Sequence, residues 1–414
     1  MEASIDEIST SSTLLDRHSA ARALSLLDSR ADSRTTPPCM RIGSLITAAS
    51  IVRASCLQRA TKLEPRGKVA RTMSAMVSQT LGTHSGTFQA DEAMGVWLLR
   101  RLERFASLPL TRTRDASVLA GLGIVIDVGG TYDDGSLRYD HHQRGFFETF
   151  DGAVGVADGP ETATGRFKTK LSAAGLVYKH YGREILKTLK PEALADAAAL
   201  EWVYVKVYED FMEALDGIDN GIEIADETRY KDGSTLPARV HRLNKRWYAG
   251  AGGPSEDERF EKASALCGAD FSDVLDDVVE SMLPARALVE RALKNREAVH
   301  ASGAVVAFES GGCPWKTHLY DLERELGAGP VQFVLYEDSA KMWRVQAVTV
   351  EGTAFTNRLG LLEPWRGLRD AELERASGSP GAKFVHASGF IGGHATYDGA
   401  LGLALATLAA AGAL

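Results

Sequence analysis

Apolar and polar positions along the chain change their period several times. Residues 121–128, Gly-Leu-Gly-Ile-Val-Ile-Asp-Val, form a short apolar run punctuated by Gly129 and Gly130, the pattern of a buried strand. Residues 137–139 predict a second short strand that leads into Asp140. Segments 92–106 and 192–216 carry helical periodicity, the second long and rich in alanine. Strands alternating with helices predict an α/β domain with a mainly parallel sheet. Residues from about 255 to 300 are helical and charged and predict a connector. Beyond about Ser302 the pattern turns to β. Segments 305–308, 331–336 and 342–350 read as strands, the last two joined through a turn-like 337–341 as a hairpin. A final strand at 383–386 leads through Gly389 to Gly392-Gly393 and then a helix. The expected layout is a leader over 1–80, an α/β domain with its connector over 81–300, and a smaller α+β domain over 301–414.

Composition narrows the reading. The 44% hydrophobic and 25% charged content of the 414 residues is that of an ordinary globular chain. A formal net charge of -8 argues against coating duplex nucleic acid, whose binders neutralise phosphates with positive charge. Any nucleic-acid role should sit in a cleft where metals and a few basic side chains supply that charge. The four cysteines show no C-x-x-C spacing, so neither a zinc ribbon nor a dense disulfide framework is expected, and a reducing intracellular compartment is the default. No internal apolar run is long enough to span a bilayer, and the Ala/Leu-rich tail 399–414 reads as a packed helix. Up to Pro38 the chain is rich in Ser, Thr, Asp and Arg, which predicts disorder. From Met40 to about Thr80 it is basic, with Glu64 as the only acid. This stretch reads either as an organellar transit segment set back from the N-terminus or as an unstructured basic leader.

Four segments place acids or histidines at the end of a predicted strand or on the turn after it, where ligands gather in open α/β sheets. The first is a small-residue loop with His84, followed by Asp91-Glu92 at the start of a helix; the acids alone would be a helix-end charge pair. The second is Asp127, an acid ending an apolar strand and costly to bury unless paired or metal-bound; a helix cap is the plainer alternative. The third is Asp140-His141-His142, where imidazole and carboxylate together suit Mn²⁺ better than Mg²⁺. The fourth comprises Asp210, Asp216, Asp219 and Asn220-Gly221. Asp216 and Asp219, three apart, can share one side of a helical turn; one of them is expected to be a ligand and the other a cap. Such a set matches a two-metal site that activates water against a phosphate ester. No G-x-S-x-G elbow or phosphate-loop lysine motif occurs, so acyl transfer and ATP-driven work are disfavoured. Farther along, Gly392-Gly393 before a helix predicts a phosphate seat of exposed amides. Lys316 and His318 beside Trp315 predict phosphate and base contacts, with Trp315 equally readable as core.

In order, H-x-G-x-F-x-x-D-E, D-V-G-G, Y-D-H-H-Q-R and Y-x-x-F-x-x-A-x-D-x-I-D-N-G resemble the DHH phosphoesterase superfamily and, within it, the melanocyte-proliferating-gene family. The resemblance runs from about residue 82 to the C-terminus. It includes Pro314-Trp315-Lys316, the 365–370 segment Trp-Arg-Gly-Leu-Arg-Asp, and His386 to Gly393. It implies a DHH domain, a smaller C-terminal domain and an active site in the cleft between them. It further implies a metal-dependent 3′–5′ RNA exonuclease of mitochondrion and nucleus, acting with two Mn²⁺ or Mg²⁺ ions on RNA or oligonucleotides. Residue by residue, His84, Asp91, Asp127, His141 and one of Asp216 or Asp219 fall on metal positions, with Asp127 bridging. Asp140 would orient its neighbours, and His142 would meet the scissile phosphate or assist the leaving group. The sequence departs from the family at Gln89, where histidine is usual, and at His394, where asparagine is more frequent; His394 resembles instead the G-G-H phosphate element of other superfamily members. Hydrolysis of a short oligonucleotide or small phosphorylated molecule, and a non-catalytic metal- or RNA-binding role with one site impaired by Gln89, remain the alternatives.

Overall fold

The apolar runs become the centre of a parallel sheet. In the computed structural model, which describes residues 78–152, 159–250, 252–309 and 311–414, β1 (Ser78–Thr83) pairs in parallel with β2 (Leu110–Arg112) on one side and β3 (Leu122–Ile126) on the other. The edge is completed by β4 (Tyr132–Asp133), antiparallel to β5 (Arg138–Tyr139), and β5 lies parallel to β3. The sheet order is β2-β1-β3-β5-β4. The chain leaves β1 toward β2 and returns to β3 on the opposite side, so the β1/β3 boundary is a switch point. The carboxyl ends of such strands open a crevice that no crossover covers. His84, Asp127 and Asp140 directly follow the parallel strands β1, β3 and β5. The expected leader falls, up to residue 77, outside the described residues.

The helix Ala90–Leu99 packs against both Ala173–Leu189 and Glu256–Asp277, and nearly all its residues are buried. A helix apolar on every side belongs in a core, and this one carries Asp91 and Glu92 inward on its first turn. Helical periodicity predicted over 92–106 is interrupted after Leu99 and resumes only as the short Glu103–Ala106. The segment 192–216 also differs from a single long helix. Ala197–Val207 passes into a π-helical turn, Tyr208–Met212, before Glu213–Asp219. One wider turn rotates everything after it, which decides where the two aspartates point.

The second sheet contains β6 (Val305–Ala307), β7 (Phe333–Glu337), β8 (Trp343–Ala347), β9 (Ala382–Val385) and β10 (Ile391–His394), in the order β6-β7-β8-β10-β9. The expected hairpin is β7–β8, antiparallel. The expected final strand is followed by another: Gly392 and Gly393 lie inside β10, opposite Val345 and Arg344 of β8 and Val385 and Phe384 of β9. Their backbones are therefore committed to a central strand and form no open phosphate seat. A Cβ on Gly393 would fall 2.5 Å from Arg344 and 2.6 Å from Phe384, so glycine here lets cross-strand side chains close over the strand. The buried apolar residues around the two sheets form separate clusters. Among the described residues no helix is long and apolar enough to cross a membrane.

Close packing at one glycine ties the first core together. A Cβ on Gly268 would lie 1.9 Å from Nε1 of Trp97, so the indole occupies the space a side chain would need. Gly268→Ala is expected to destabilise the fold by roughly 1–3 kcal/mol, as overpacking does. Denaturant unfolding followed by Trp fluorescence measures this; an unchanged midpoint would contradict the packing.

Candidate metal centre

Three strand ends deliver the first ligand atoms. His84 presents Nε2 to Glu92 Oε1 at 3.1 Å and to Asp127 Oδ2 at 3.3 Å. Burial lowers the His84 pKa, but the two carboxylates outweigh it and pull it up to about 10. The Arg114 guanidinium, 3.0 Å from Nδ1, works against that second proton. Asp127 adopts a left-handed backbone conformation, φ 56°, just past the end of β3. Aspartate tolerates this region better than most residues, and such geometry concentrates at functional sites.

Asp91 enters from the helix side. Its Oδ1 accepts from Ala174 N–H at 2.6 Å, and its Oδ2 from Ala173 N–H at 3.0 Å, so it occupies the N-terminus of Ala173–Leu189. Burial, followed by Asp219 and Asp127, still pushes its pKa up. The Ser172 hydroxyl lies 2.6 Å from Asp91 and 2.7 Å from Asp216 Oδ1. One hydroxyl proton serves only one of those two contacts. Burial raises the Asp216 carboxyl to about 7, so it can hold the proton that completes the other. Asp216 also accepts from Ser172 N–H at 3.0 Å and, at Oδ2, from Tyr208 O–H at 2.9 Å.

His141 is fixed by its neighbour on the helix end. Asn220 donates through Nδ2 to the carbonyls of Lys170 and Asp216, both at 2.8 Å. Its Oδ1 is therefore the atom left to accept from His141 Nδ1–H, 3.3 Å away. That tautomer leaves the Nε2 lone pair facing Asp219 at 3.2 Å, Asp127 at 3.5 Å and Asp91 at 3.8 Å. Burial opposes charge on His141, yet Asp127, Asp219 and Asp91 raise its pKa to about 11. Lone pair against three carboxylates is stable only with a proton or a cation between them. Nε2 of His141 and Oδ1 of Asp127 are buried without a hydrogen bond of acceptable geometry. Asp140 behaves differently. It accepts from Gly130 N–H at 2.6 Å and holds His142 Nδ1 at 2.7 Å. Burial would raise its pKa, but these bonds, His142 first, bring it down to about 2. His142 keeps 62% of its side chain exposed.

Three groups of ligand atoms result: Asp127, His141 and His142; His84, Glu92 and Asp127; Asp91, His141 and Asp219. Asp127 and His141 each belong to two of them. Carboxylate and imidazole donors, with two buried atoms unsatisfied, fit a divalent cation of the Mn²⁺ type. Of the pair left open by the sequence, Asp219 reaches the cluster, while the oxygens of Asp216 are engaged by Ser172 and Tyr208. Sequence reasoning passed over Glu92, seen only as a helix-end charge, and Asn220, seen only as a cap. Their signal was proximity in sequence to Asp91 and Asp219. Gln89 is exposed and lines a cavity of about 270 Å³ with Asp91, Asp219 and His241.

The C-terminal candidates lie in a different setting. Besides the strand-bound Gly392 and Gly393, His394 is buried, with ring nitrogens 3.1 Å from Ser379 Oγ and 3.0 Å from Thr396 N. Both nitrogens are used to tie β10 to its surroundings, which corrects the expected phosphate contact. Trp315 is core, and His318 is buried with Nε2 2.8 Å from the Met282 carbonyl. Lys316 opens the helix Lys316–Leu326 and borders a cavity shared with Arg166 and Trp202; no catalytic acid or histidine lines it.

A family model with the short name MYG1 exonuclease, described as "Uncharacterised protein family (UPF0160)", matches residues 80–408. The mouse protein named MYG1 exonuclease is 46% identical over 365 residues, covering 87% of this chain and 92% of its own length. The human protein of that name is 47% identical over 340 residues, covering 81% and 87%. A Saccharomyces cerevisiae MYG1 protein is 40% identical, covering 81% and 98%. The solved structure of RecJ in complex with Mn²⁺ from Thermus thermophilus matches at 13% identity and a TM-score of 0.20, covering 81% of this chain and 52% of that one. At that score the likeness carries no weight.

Two outcomes are expected of the cluster. Asp219→Asn should weaken Mn²⁺ uptake at least ~10-fold, whereas Asp216→Asn, which keeps an acceptor for Ser172, should leave the ion count unchanged; mass spectrometry of the metal content checks both. Because His141 holds a proton at neutral pH without a cation, uptake should release it. Affinity should then rise about tenfold per pH unit between roughly pH 6 and 8 for each proton released. Calorimetry in buffers of different ionisation enthalpy measures that release, and a flat pH profile would contradict it.

Proposed function

We propose, from the premise that this chain belongs to the MYG1 exonuclease family, that it is a metal-dependent phosphodiesterase removing nucleotides from the 3′ end of RNA. The observation that carries this reading is the buried, unsatisfied pair Asp127 Oδ1 and His141 Nε2, at the junction of the three ligand groups.

Asp127 belongs to the His84/Glu92 group and to the His141/His142 group, so its carboxylate would help hold a cation on either side. Asp91 and Asp219 would hold a cation together with His141. Mn²⁺ or Mg²⁺, when bound there, supplies Lewis acidity toward water and phosphate oxygens. The chain's own contribution is positioning. Asn220 keeps a lone pair on His141 Nε2, and the helix N-terminus holds Asp91 in a single orientation. Asp140 engages His142 Nδ1 and leaves Nε2 outward, where it meets the scissile phosphate or passes a proton to the leaving oxygen.

The purified protein should shorten 5′-labelled RNA stepwise from its 3′ end when Mn²⁺ is added. An Asp127→Ala/His141→Ala variant should be slower by roughly two orders of magnitude or more. Equal, slow release by both proteins would defeat the proposal. Cleavage confined to the shortest oligonucleotides would redirect it to small phosphorylated substrates.

A further inference from the structure

Beside the metal centre the chain gathers positive charge that a net charge of -8 does not announce. Arg242 and Arg246, on the segment after the helix Leu236–His241, face Arg259 and Lys262 of Glu256–Asp277 across a cavity of about 310 Å³. Among the described residues no carboxylate lines it. Carbonyls hold two of the guanidinium groups without neutralising them: Arg242 donates to Gly233 at 2.8 Å, and Arg259 to Pro254 at 3.3 Å. Acids at the start of the long helix are hydrogen-bonded elsewhere, and of these Glu258 also attracts the charge of Lys262. Glu256 accepts from Arg112 at 2.8 Å, Glu261 from Arg100 at 2.7 Å, and Glu258, one turn before Lys262, from Ser255 N–H at 2.7 Å.

Aromatic surface accompanies these cations. Trp247 is 95% exposed and Tyr248 61%. Their ring centroids lie 5.5 Å apart, edge to face, and Arg246 donates to the Tyr248 hydroxyl at 2.8 Å. Large rings left in water beside cations are the elements that grip single strands: cations track phosphates, and rings stack bases of any sequence. The same segment reaches the cation cluster. Asn244 accepts from Phe88 N–H at 3.0 Å and donates to the Phe88 carbonyl at 2.8 Å. Phe88, with His241, lines the cavity that contains Asp91 and Asp219. The turn 241–244 is thus a common wall of the two cavities.

We infer that the cationic groove and its Trp247-Tyr248 rim bind a single-stranded nucleic acid and lead it to the metal centre, a role that rests on the phosphodiesterase reading for its destination but not for its binding. Oligonucleotides of about 12 residues, within the site sizes single-strand grooves cover, are labelled and titrated by fluorescence anisotropy in EDTA, one arm RNA and one DNA. Trp247→Ala should weaken binding roughly tenfold as base stacking is removed. Arg246→Ala/Lys262→Ala should lower the slope of log affinity against log salt by about 1.4, or ~0.7 for each phosphate no longer neutralised. All three substituted residues are exposed, and a thermal melt of each variant verifies folding. The inference is overturned if the wild type binds neither oligonucleotide or if both folded variants bind like wild type. It is also overturned if polyglutamate displaces the strand as well as unlabelled oligonucleotide does. Wild-type nucleotide release with Mn²⁺ is scored separately. Release without variant-sensitive binding removes the groove alone, and variant-sensitive binding without release removes the nuclease reading alone.

Discussion

The Asp91 carboxylate, buried at the N-terminus of Ala173–Leu189, is where this fold and its chemistry are joined. Two backbone N–H groups and the Ser172 hydroxyl compensate part of the desolvation, and the partial positive charge of the helix end adds to them. The same carboxylate must face Asp219 and Asp127 across His141, so the helix that stabilises it also brings negative charges together. Moving that helix would release the acids and dissolve the cluster. Every other feature of the centre follows from how each buried acid finds compensation. Asp216 finds Ser172 and Tyr208, and Asp140 finds Gly130 and His142. Asp127 finds only imidazoles at 3.3–3.5 Å, with one oxygen lacking a hydrogen bond. A buried oxygen of this kind calls for an explanation, and a bound ion or water among these donors would supply one.

Much of this is legible in the amino-acid order alone. Apolar β3 ending in Asp127, and the short strand before Asp140, read directly because a parallel strand is a continuous apolar run and its carboxyl end is where an acid becomes useful. The ordered motifs carry the family. Spacing cannot choose between Asp216 and Asp219, since three residues on a helix leave both on one side. The π-helical turn Tyr208–Met212 is invisible as a pattern, yet it sets Tyr208 against Asp216 and lets Asp219 alone reach His141. Glu92 and Asn220 are hidden for another reason: a helix-start acid and a helix-end asparagine have ordinary structural uses that satisfy the sequence completely.

The C-terminal half misleads through its glycines. A Gly-Gly before a helix looks like an anion seat until strand register is known, and register depends on partners far away in the chain. Here β10 lies between β8 and β9, so those glycines serve cross-strand packing and His394 serves a local network. Lys316 draws its sequence signal from its neighbours Trp315 and His318, but the core takes both of them and leaves the lysine beside Trp202.

Charge is distributed in a way the formal total conceals. Screening at physiological salt has a length of about 8 Å, so an approaching phosphate responds to the groups it meets and little to the sum over 414 residues. At the cluster it meets Asp91, Asp127, Asp219 and Glu92, whose charge His84 and His141 offset in part, and which bound cations would offset further. At the groove it meets Arg242, Arg246, Arg259 and Lys262 with no lining acid. Two neighbouring regions of opposite sign impose an order on events. On the proposed reading the groove would attract a strand without metal, while the cluster would accept its phosphate best once cations are bound. On the proposed function and the inferred groove, an acidic protein would handle a polyanion without a basic surface: positive charge stands where the strand would pass, and bound cations would add to it at the cluster.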